Sequence, residues 1–316
     1  MGRTLASLWG SDEVALMLFL GAFAAVLLLA AILLVHLVLR RRAPKPSPLF
    51  RRVRAVVLAL AALELLCIGD GLIEPYWPRV THTTLSCSKL PRGARFRLVQ
   101  ISDLHSEATP RLERRLPRII AAQKPDAIAF TGDALNAREG LPVFRDCMTR
   151  LAKIAPTFAV KGNWDQYAEY KELDMYGGTG VTLLESDAAP VGVGSAQMWI
   201  AGASLWGYGW PIEGALDHVP PGAPTILLYH MPSGVSLAAK RGVDLICVGH
   251  THGGQVVLPF YGALVTLSRS AKHYEGGLYR EEKTWLYVNR GVGTQIGLPV
   301  RFLCRPEIAV IDLVGE

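Results

Sequence analysis

Cysteine is scarce in this chain and follows no pattern. Five residues (Cys67, Cys87, Cys147, Cys247 and Cys304) are scattered over 316 positions without a CxxC pair. That excludes a zinc ribbon and a disulfide-stapled scaffold. No HExxH helix occurs, so a zinc peptidase or amidase ranks low. There is no internal repeat, and no low-complexity tract outside one Pro/Arg-rich connector. Acidic residues are missing from that connector: positions 40–54 hold Arg40, Arg41, Arg42, Lys45, Arg51, Arg52 and Arg54 and no Asp or Glu. The formal charge of +6 comes largely from this stretch. It therefore points to anionic lipid, and no nucleic-acid partner is expected.

What the chain does have at its front is apolar length. Positions 13–39 read EVALMLFLGAFAAVLLLAAILLVHLVL, and from Val14 only His36 interrupts the run. This exceeds the ~20 residues that a bilayer-spanning helix needs. No small-residue cleavage site follows, and Arg40-Arg41-Arg42 does, so a helix over about 14–39 reads as an anchor rather than a removed signal peptide. A second apolar segment, 55–73, contains Glu64 and Asp70. It either spans as a second helix or lies on the membrane or against the first. The positive-inside rule places the basic connector in the cytoplasm. If both segments span, the remainder lies outside the cytoplasm, at the cell (inner) membrane; if only the first spans, it stays inside. The expected layout is an anchor over 1–74, a linker rich in Pro, Thr and Ser over 75–95, and one domain over 96–316.

Within that domain, short β-prone runs alternate with amphipathic stretches. Strands are expected at 96–102, 127–130 and 157–160, with helix-like stretches at 111–123, interrupted by Pro117, and 142–154. This is the signature of βαβ units and a largely parallel sheet. Further strands are expected at 182–185, 198–201, 225–229, 244–248, 285–289 and 308–312. Two sheets packed face to face with helices outside would use all of them.

Polar residues of metal-binding type stand after five of these strands: Asp103 and His105, Asp133, Asn163, His230, and His250 with His252. The carboxyl edge of an open α/β sheet is where ligands bind. Singly, each has a bland reading: Asp133 as a helix cap, Asn163 as a turn residue, His230 as a core histidine. Seven in order, each after a strand, are not accounted for that way. Hard and borderline donors without Cys suit two divalent ions such as Mn²⁺, Fe or Zn²⁺. Two such ions about 3.5–4 Å apart clamp an in-line displacement at phosphorus.

At these residues the sequence resembles a family. Asp103-x-His105, Gly132-Asp133, Gly162-Asn163, His230 and Gly249-His250-x-His252 resemble the five blocks of the calcineurin-like metallophosphoesterases, over about residues 95–315. GHTHGGQVVLP and LYVNRGVGTQIGLPVRF are similar to its bacterial membrane-associated branch. That branch includes exported phosphoesterases and relatives that cleave a UDP-linked diacylglucosamine. The resemblance implies a four-layer α/β/β/α sandwich as the catalytic domain. It also implies one metal on Asp103, His105 and His252, another on Asn163, His230 and His250, and Asp133 as a bridge. The implied substrate is a phosphodiester or pyrophosphate, in a lipid or cell-envelope intermediate. Asp133, Asn163 and His250 would serve catalysis, and Arg290 would contact a phosphate or form a surface ion pair.

One departure matters. Where the family's third block reads Gly-Asn-His-Asp/Glu, this chain has Trp164 in place of the His. A proton-transfer group contributes about 10²–10⁴-fold, so esters with poor leaving groups should suffer most. Trp164 would then stack on a base or sugar, or simply pack. A different class stays open: a catalytically weak phospholigand-binding or scaffold protein that keeps its metals.

Overall fold

The computed structural model describes residues 11–39, 47–194, 196–205, 211–264, 272–295 and 299–316. Arg40, Arg41, Arg42 and Lys45 of the basic connector, and Ile296, Gly297 and Leu298 of the last family-like motif, lie outside the described residues. The chain divides at Ile73 and Glu74 into two compact units.

The first unit holds two helices, α1 (Ser11–Leu39) and α2 (Pro48–Ile73). Both are long and apolar enough to cross a membrane, by length and composition. They pack on one another through Ala30, Leu33, Val57 and Ala61. Leu28, Val38, Leu65 and Leu66 remain more than half exposed, apolar surface that water does not favour.

The second unit is built on two six-stranded mixed sheets. The first contains β1 (Arg79–Ser86), β2 (Arg95–Ile101), β3 (Ala127–Phe130), β4 (Thr157–Ala159), β5 (Thr182–Leu183) and β14 (Glu307–Val314), in the order β1-β14-β2-β3-β4-β5. The second contains β6 (Ser186–Val193), β7 (Ala196–Ala203), β8 (Thr225–Leu228), β9 (Leu245–Val248), β12 (Gly277–Glu281) and β13 (Thr284–Val288), in the order β12-β13-β9-β8-β7-β6. A small hairpin, β10 (Val257–Leu258) with β11 (Gly262–Ala263), stands apart. β3, β4, β8 and β9 are buried along their whole length. That is why they read as continuous apolar runs rather than alternating ones.

The layers follow from which side chains meet. Leu98, Ala129, Phe158 and Ile311 of the first sheet join Ile200, Ile226, Leu228 and Cys247 of the second in one buried cluster. The opposite face of the first sheet, Val99, Ile101, Ile128 and Phe130, packs on α3 (Leu116–Ala121) and α4 (Leu141–Ala152). The outer face of the second, Leu227, Ile246 and Leu286, packs on α5 (Pro211–Asp217) and α6 (Val235–Lys240). The result is the expected α/β/β/α sandwich. Four strands, β2, β3, β8 and β9, bring the 103, 133, 230 and 250 positions to one edge, and β4 adds Asn163.

Two local readings need correction. The stretch expected to be a linker carries β1, which pairs in parallel with β14 over eight residues from Arg79↔Glu307 to Ser86↔Val314. Its polar, exposed side chains hid it, because at a sheet edge the ladder rather than apolar burial defines the strand. The helix expected over 111–123 is only α3, and Pro117 lies in its first turn. A proline there has no amide bond to lose, so it starts the helix instead of interrupting it. β6 went unread because it holds Pro190, which an edge strand tolerates.

Candidate metal centre

The strand ends are locked to one another by backbone bonds before any side chain is considered. The amides of Asp103 and His105 donate to the carbonyls of Gly132 and Asp133 at 2.9 and 3.1 Å, and Gly249 donates to His230 at 3.0 Å. The backbone is left-handed at Asp103 (φ 50°), His105 (44°), Asp133 (59°), His250 (71°) and His252 (52°). Such a conformation costs about 1–3 kcal/mol at a non-glycine residue and gathers at functional sites. Five of the seven candidate donors sit in it.

Glycine permits the close approach. A Cβ on Gly249 would lie 1.9 Å from Ser102 Oγ and 2.2 Å from Asp103 Oδ2. One on Gly162 would lie 2.2 Å from Asp133 Oδ1 and 2.6 Å from the Asp133 amide nitrogen.

Two buried clusters result, Asp103 with His105 and His252, and Asp133 with His230 and His250. In the first, His105 Nε2 lies 3.2 Å from His252 Nε2, and His252 Nε2 lies 3.4 Å from Asp103 Oδ1. Asp133 joins the two: its Oδ2 is 3.2 Å from His230 Nε2 and 3.7 Å from His105 Nε2. Asn163 enters through His250, with its Oδ1 3.0 Å from His250 Nδ1. Neighbouring groups aim these donors. His230 Nδ1–H donates to the Thr131 carbonyl at 2.6 Å, which turns Nε2 inward. The Trp164 amide donates to Asp133 Oδ1 at 2.9 Å, and the His250 amide lies 3.2 Å from both Asp103 oxygens.

Ionisation shows what the site demands. Burial draws His105 and His250 down to about 4 and His252 well below its ordinary value, so all three are neutral lone-pair donors near pH 7. Burial pushes the Asp103 carboxyl up to about 7, aided by Asp133 and opposed by His230. His230 runs the other way. Burial lowers it, but the Asp133 and Asp103 carboxylates outweigh that and raise it to about 10. Burial likewise opposes ionisation of Asp133, yet His230, His105 and the Trp164 amide hold its carboxyl below the ordinary range. The cluster draws a proton onto an imidazole to balance its negative charge. Buried His105 Nδ1, His230 Nε2 and His252 Nδ1 have no hydrogen-bond partner among the described residues. Convergent carboxylates, imidazoles and an amide oxygen that call for positive charge fit divalent ions.

All seven candidate donors are thus brought together, and the Arg290 side chain stands beside Gly253, the residue after His252. Its guanidinium lies 3.8 Å from Glu307 Oε1, and a Cβ added at Gly253 or Gly276 would meet its Cγ at 3.1 Å. Trp164 does stand at the site. Its indole meets the His105 ring edge-on at 5.6 Å and the Tyr167 ring at 5.3 Å, and it packs against the core under the first sheet.

Two supporting residues escaped the sequence reading. The Asp165 carboxylate is buried and accepts the amides of Asp133 (2.9 Å), Ala134 (2.8 Å) and Gly162 (2.8 Å), so it pins two donor loops together. Its place two positions after Asn163 in the third block was the available signal. Arg301 is fully buried. It donates to the carbonyls of Gly293 (2.6 Å), Arg290 (2.8 Å) and Cys304 (3.1 Å), and its Nη1 lies 3.5 Å from that of His252. It falls near the end of the motif LYVNRGVGTQIGLPVRF, but that position alone does not say that its side chain binds backbone carbonyls.

Two adjoining donor clusters at the carboxyl edge of a two-sheet sandwich define a metal-dependent hydrolase of the metallophosphoesterase class. The chain belongs to the calcineurin-like phosphoesterase family, whose sequence profile matches residues 96–254. It is similar to the uncharacterized metallophosphoesterase YkuE of Bacillus subtilis, 34% identical over 81% of this chain and 93% of that one. Phosphodiesterase YaeI of Escherichia coli is 31% identical over 83% of this chain and 98% of its own. The UDP-2,3-diacylglucosamine pyrophosphatase LpxG of Chlamydia muridarum is 26% identical, over 81% and 95%.

Proposed function

We propose that this protein is a membrane-anchored phosphoesterase that uses two divalent ions to hydrolyse a phosphodiester or pyrophosphate bond in a lipid-linked or cell-envelope substrate. The observation that carries the reading is the position of Asp133. One buried carboxylate oxygen lies within 3.7 Å of imidazole nitrogens from both donor clusters. Asp103, His105 and His252 would hold one ion, Asn163, His230 and His250 the other, and Asp133 both. The bound ions would supply Lewis acidity and an activated water at neutral pH. The protein's own residues fix the geometry: Asp165 and the Trp164 amide orient Asp133, and Thr131 orients His230. The half-buried Trp164 indole shields His105 from one side.

Lipid linkage is supported by the two apolar helices and by the similarity to LpxG, which acts on a diacylated sugar nucleotide. The basic composition of the connector supports a domain outside the cytoplasm if both helices span. The test is hydrolysis of bis(p-nitrophenyl) phosphate by the purified full chain with Mn²⁺, compared with chelator-treated protein. Metal-dependent turnover is expected. Two bound ions per chain with no turnover on any diester or pyrophosphate would favour a phospholigand-binding protein instead.

A further inference from the structure

Away from the donor clusters, exposed apolar side chains gather along a line that joins residues 76–78, 302–305 and the β10–β11 hairpin. Tyr76 and Trp77 are more than half exposed and follow Ile73, the last residue of α2, by a few positions. Arg305 fixes them: its guanidinium lies 4.1 Å over the Trp77 ring and donates to the Trp77 and Pro78 carbonyls at 2.8 and 3.2 Å. Beside it Leu303 is half exposed, at φ 52°. Phe302 then leads to the hairpin, since its amide donates to Gln255 at 2.8 Å and its carbonyl accepts from Val257 at 3.0 Å. At the hairpin tip Phe260 is fully exposed, at φ 67°. A left-handed backbone at two such apolar residues, one half exposed and one wholly exposed, gains little from burial within the domain.

The acids along this line are buried or paired: Glu74 is buried and accepts the Cys304 amide at 3.0 Å, and Glu275 beside the hairpin pairs with Lys272 at 2.8 Å. Arg79 and Arg115 are exposed, and Arg115 donates to the Tyr76 carbonyl at 3.0 Å. The arginine ion pairs among the described residues involve Arg95, Arg97, Arg145, Arg150, Arg241 and Arg290, not Arg79, Arg115 or Arg305. Aromatic rings beside arginines without carboxylate partners are the composition of a membrane–water interface.

We propose that this face rests on the phospholipid surface, with Phe260 and Leu303 entering the headgroup layer and Arg79, Arg115 and Arg305 meeting lipid phosphates. The inference rests on the reading of α1 and α2 as a bilayer anchor and deepens it. The hairpin continues directly from the His250–His252 loop, so the donor clusters are held close along the chain to the lipid. The substrate class is then a phosphate ester whose apolar part stays in the bilayer while its phosphate is cut.

Nitroxide labels on the full chain, reconstituted in phosphatidylethanolamine–phosphatidylglycerol vesicles, test this without any activity assay. Phe260→Cys and Leu303→Cys are labelled in a Cys67→Ser background, the remaining native cysteines being buried. Lys153→Cys, exposed just after α4, is the aqueous control, and Cys67 labelled alone reports on α2. Labels at 260 and 303 should gain accessibility to oxygen and lose it to a water-soluble nickel chelate, as Cys67 does, while 153 stays aqueous. If 260 and 303 match 153 while Cys67 is lipid-embedded, the docking face is refuted and the anchor stands. An aqueous Cys67 refutes the anchor and the inference with it. Spin–spin broadening at 260 or 303 that disappears on dilution with unlabelled chain would show that a second copy covers the face, and would also overturn the proposal.

Discussion

Replacing Gly162 with alanine isolates the geometry of the candidate bridge from its chemistry. Gly162 has no left-handed backbone to strain, so an added methyl acts through contact alone. Its Cβ would sit 2.2 Å from Asp133 Oδ1 and 2.6 Å from the Asp133 amide nitrogen. Ordinary contact begins at 3.4 Å, so the carboxylate oxygen must retreat by the 1.2 Å between those values. Rotation of the side chain cannot solve this, because the backbone nitrogen is also too close. Nor can the two loops part freely, since Asp165 Oδ2 holds the amides of both Gly162 and Asp133. Overpacking of this kind costs about 1–3 kcal/mol, or roughly 2–12 °C of melting temperature for a domain of this size. A displacement near 1 Å at a reacting centre costs about 10²-fold in rate. Thermal melts in detergent, metal content per chain and turnover of bis(p-nitrophenyl) phosphate measure all three. Unchanged melting with turnover within twofold of wild type would refute the placement of Gly162 against Asp133.

Asp133→Asn should abolish turnover and lower metal content more than any other single donor change, whereas His252→Ala should remove mainly one ion; plasma mass spectrometry decides. A change at a donor should exceed the roughly 10–100-fold loss typical of its supporting partners. Trp164→His should speed esters with poor leaving groups much more than good ones, by up to about 10²–10⁴-fold. A wild-type rate insensitive to leaving-group pKa would show that another residue supplies the proton. Alkaline phosphatase and green fluorescent protein fused after Tyr76 should report phosphatase activity without fluorescence; the reverse would reject a two-helix hairpin.

The legible parts of the chain were those where burial and chemistry coincide. β3, β4, β8 and β9 announce themselves because both faces are covered, and the polar residues that stop them are the ones the fold gathers. Hidden parts depended on long-range partners. β1 looks like a linker because only its ladder to β14, more than two hundred residues away, makes it a strand. Asp165 and Arg301 act on backbone amides and carbonyls, a role that no side-chain pattern states; only the place of Asp165 in the third block hinted at it. Arg290, read as a phosphate contact or an ion pair, lies by Glu307 because that carboxylate also accepts its amide at 3.0 Å. Trp164 marks a missing imidazole, and only packing against His105 and Tyr167 shows where the indole goes.

The position of β14 has a consequence for synthesis. This last strand lies between β1 and β2, so neither can complete its ladder until the ribosome has made residue 314. The apolar helices, made first, are free to enter a bilayer while the sheets behind them are still open. Until β14 arrives, β1 and β2 each present an unpaired edge, the state in which chains join the wrong neighbour. A nascent chain halted before β13 and β14 should therefore be a substrate for quality control, even though the stretch matched by the family profile would already be complete.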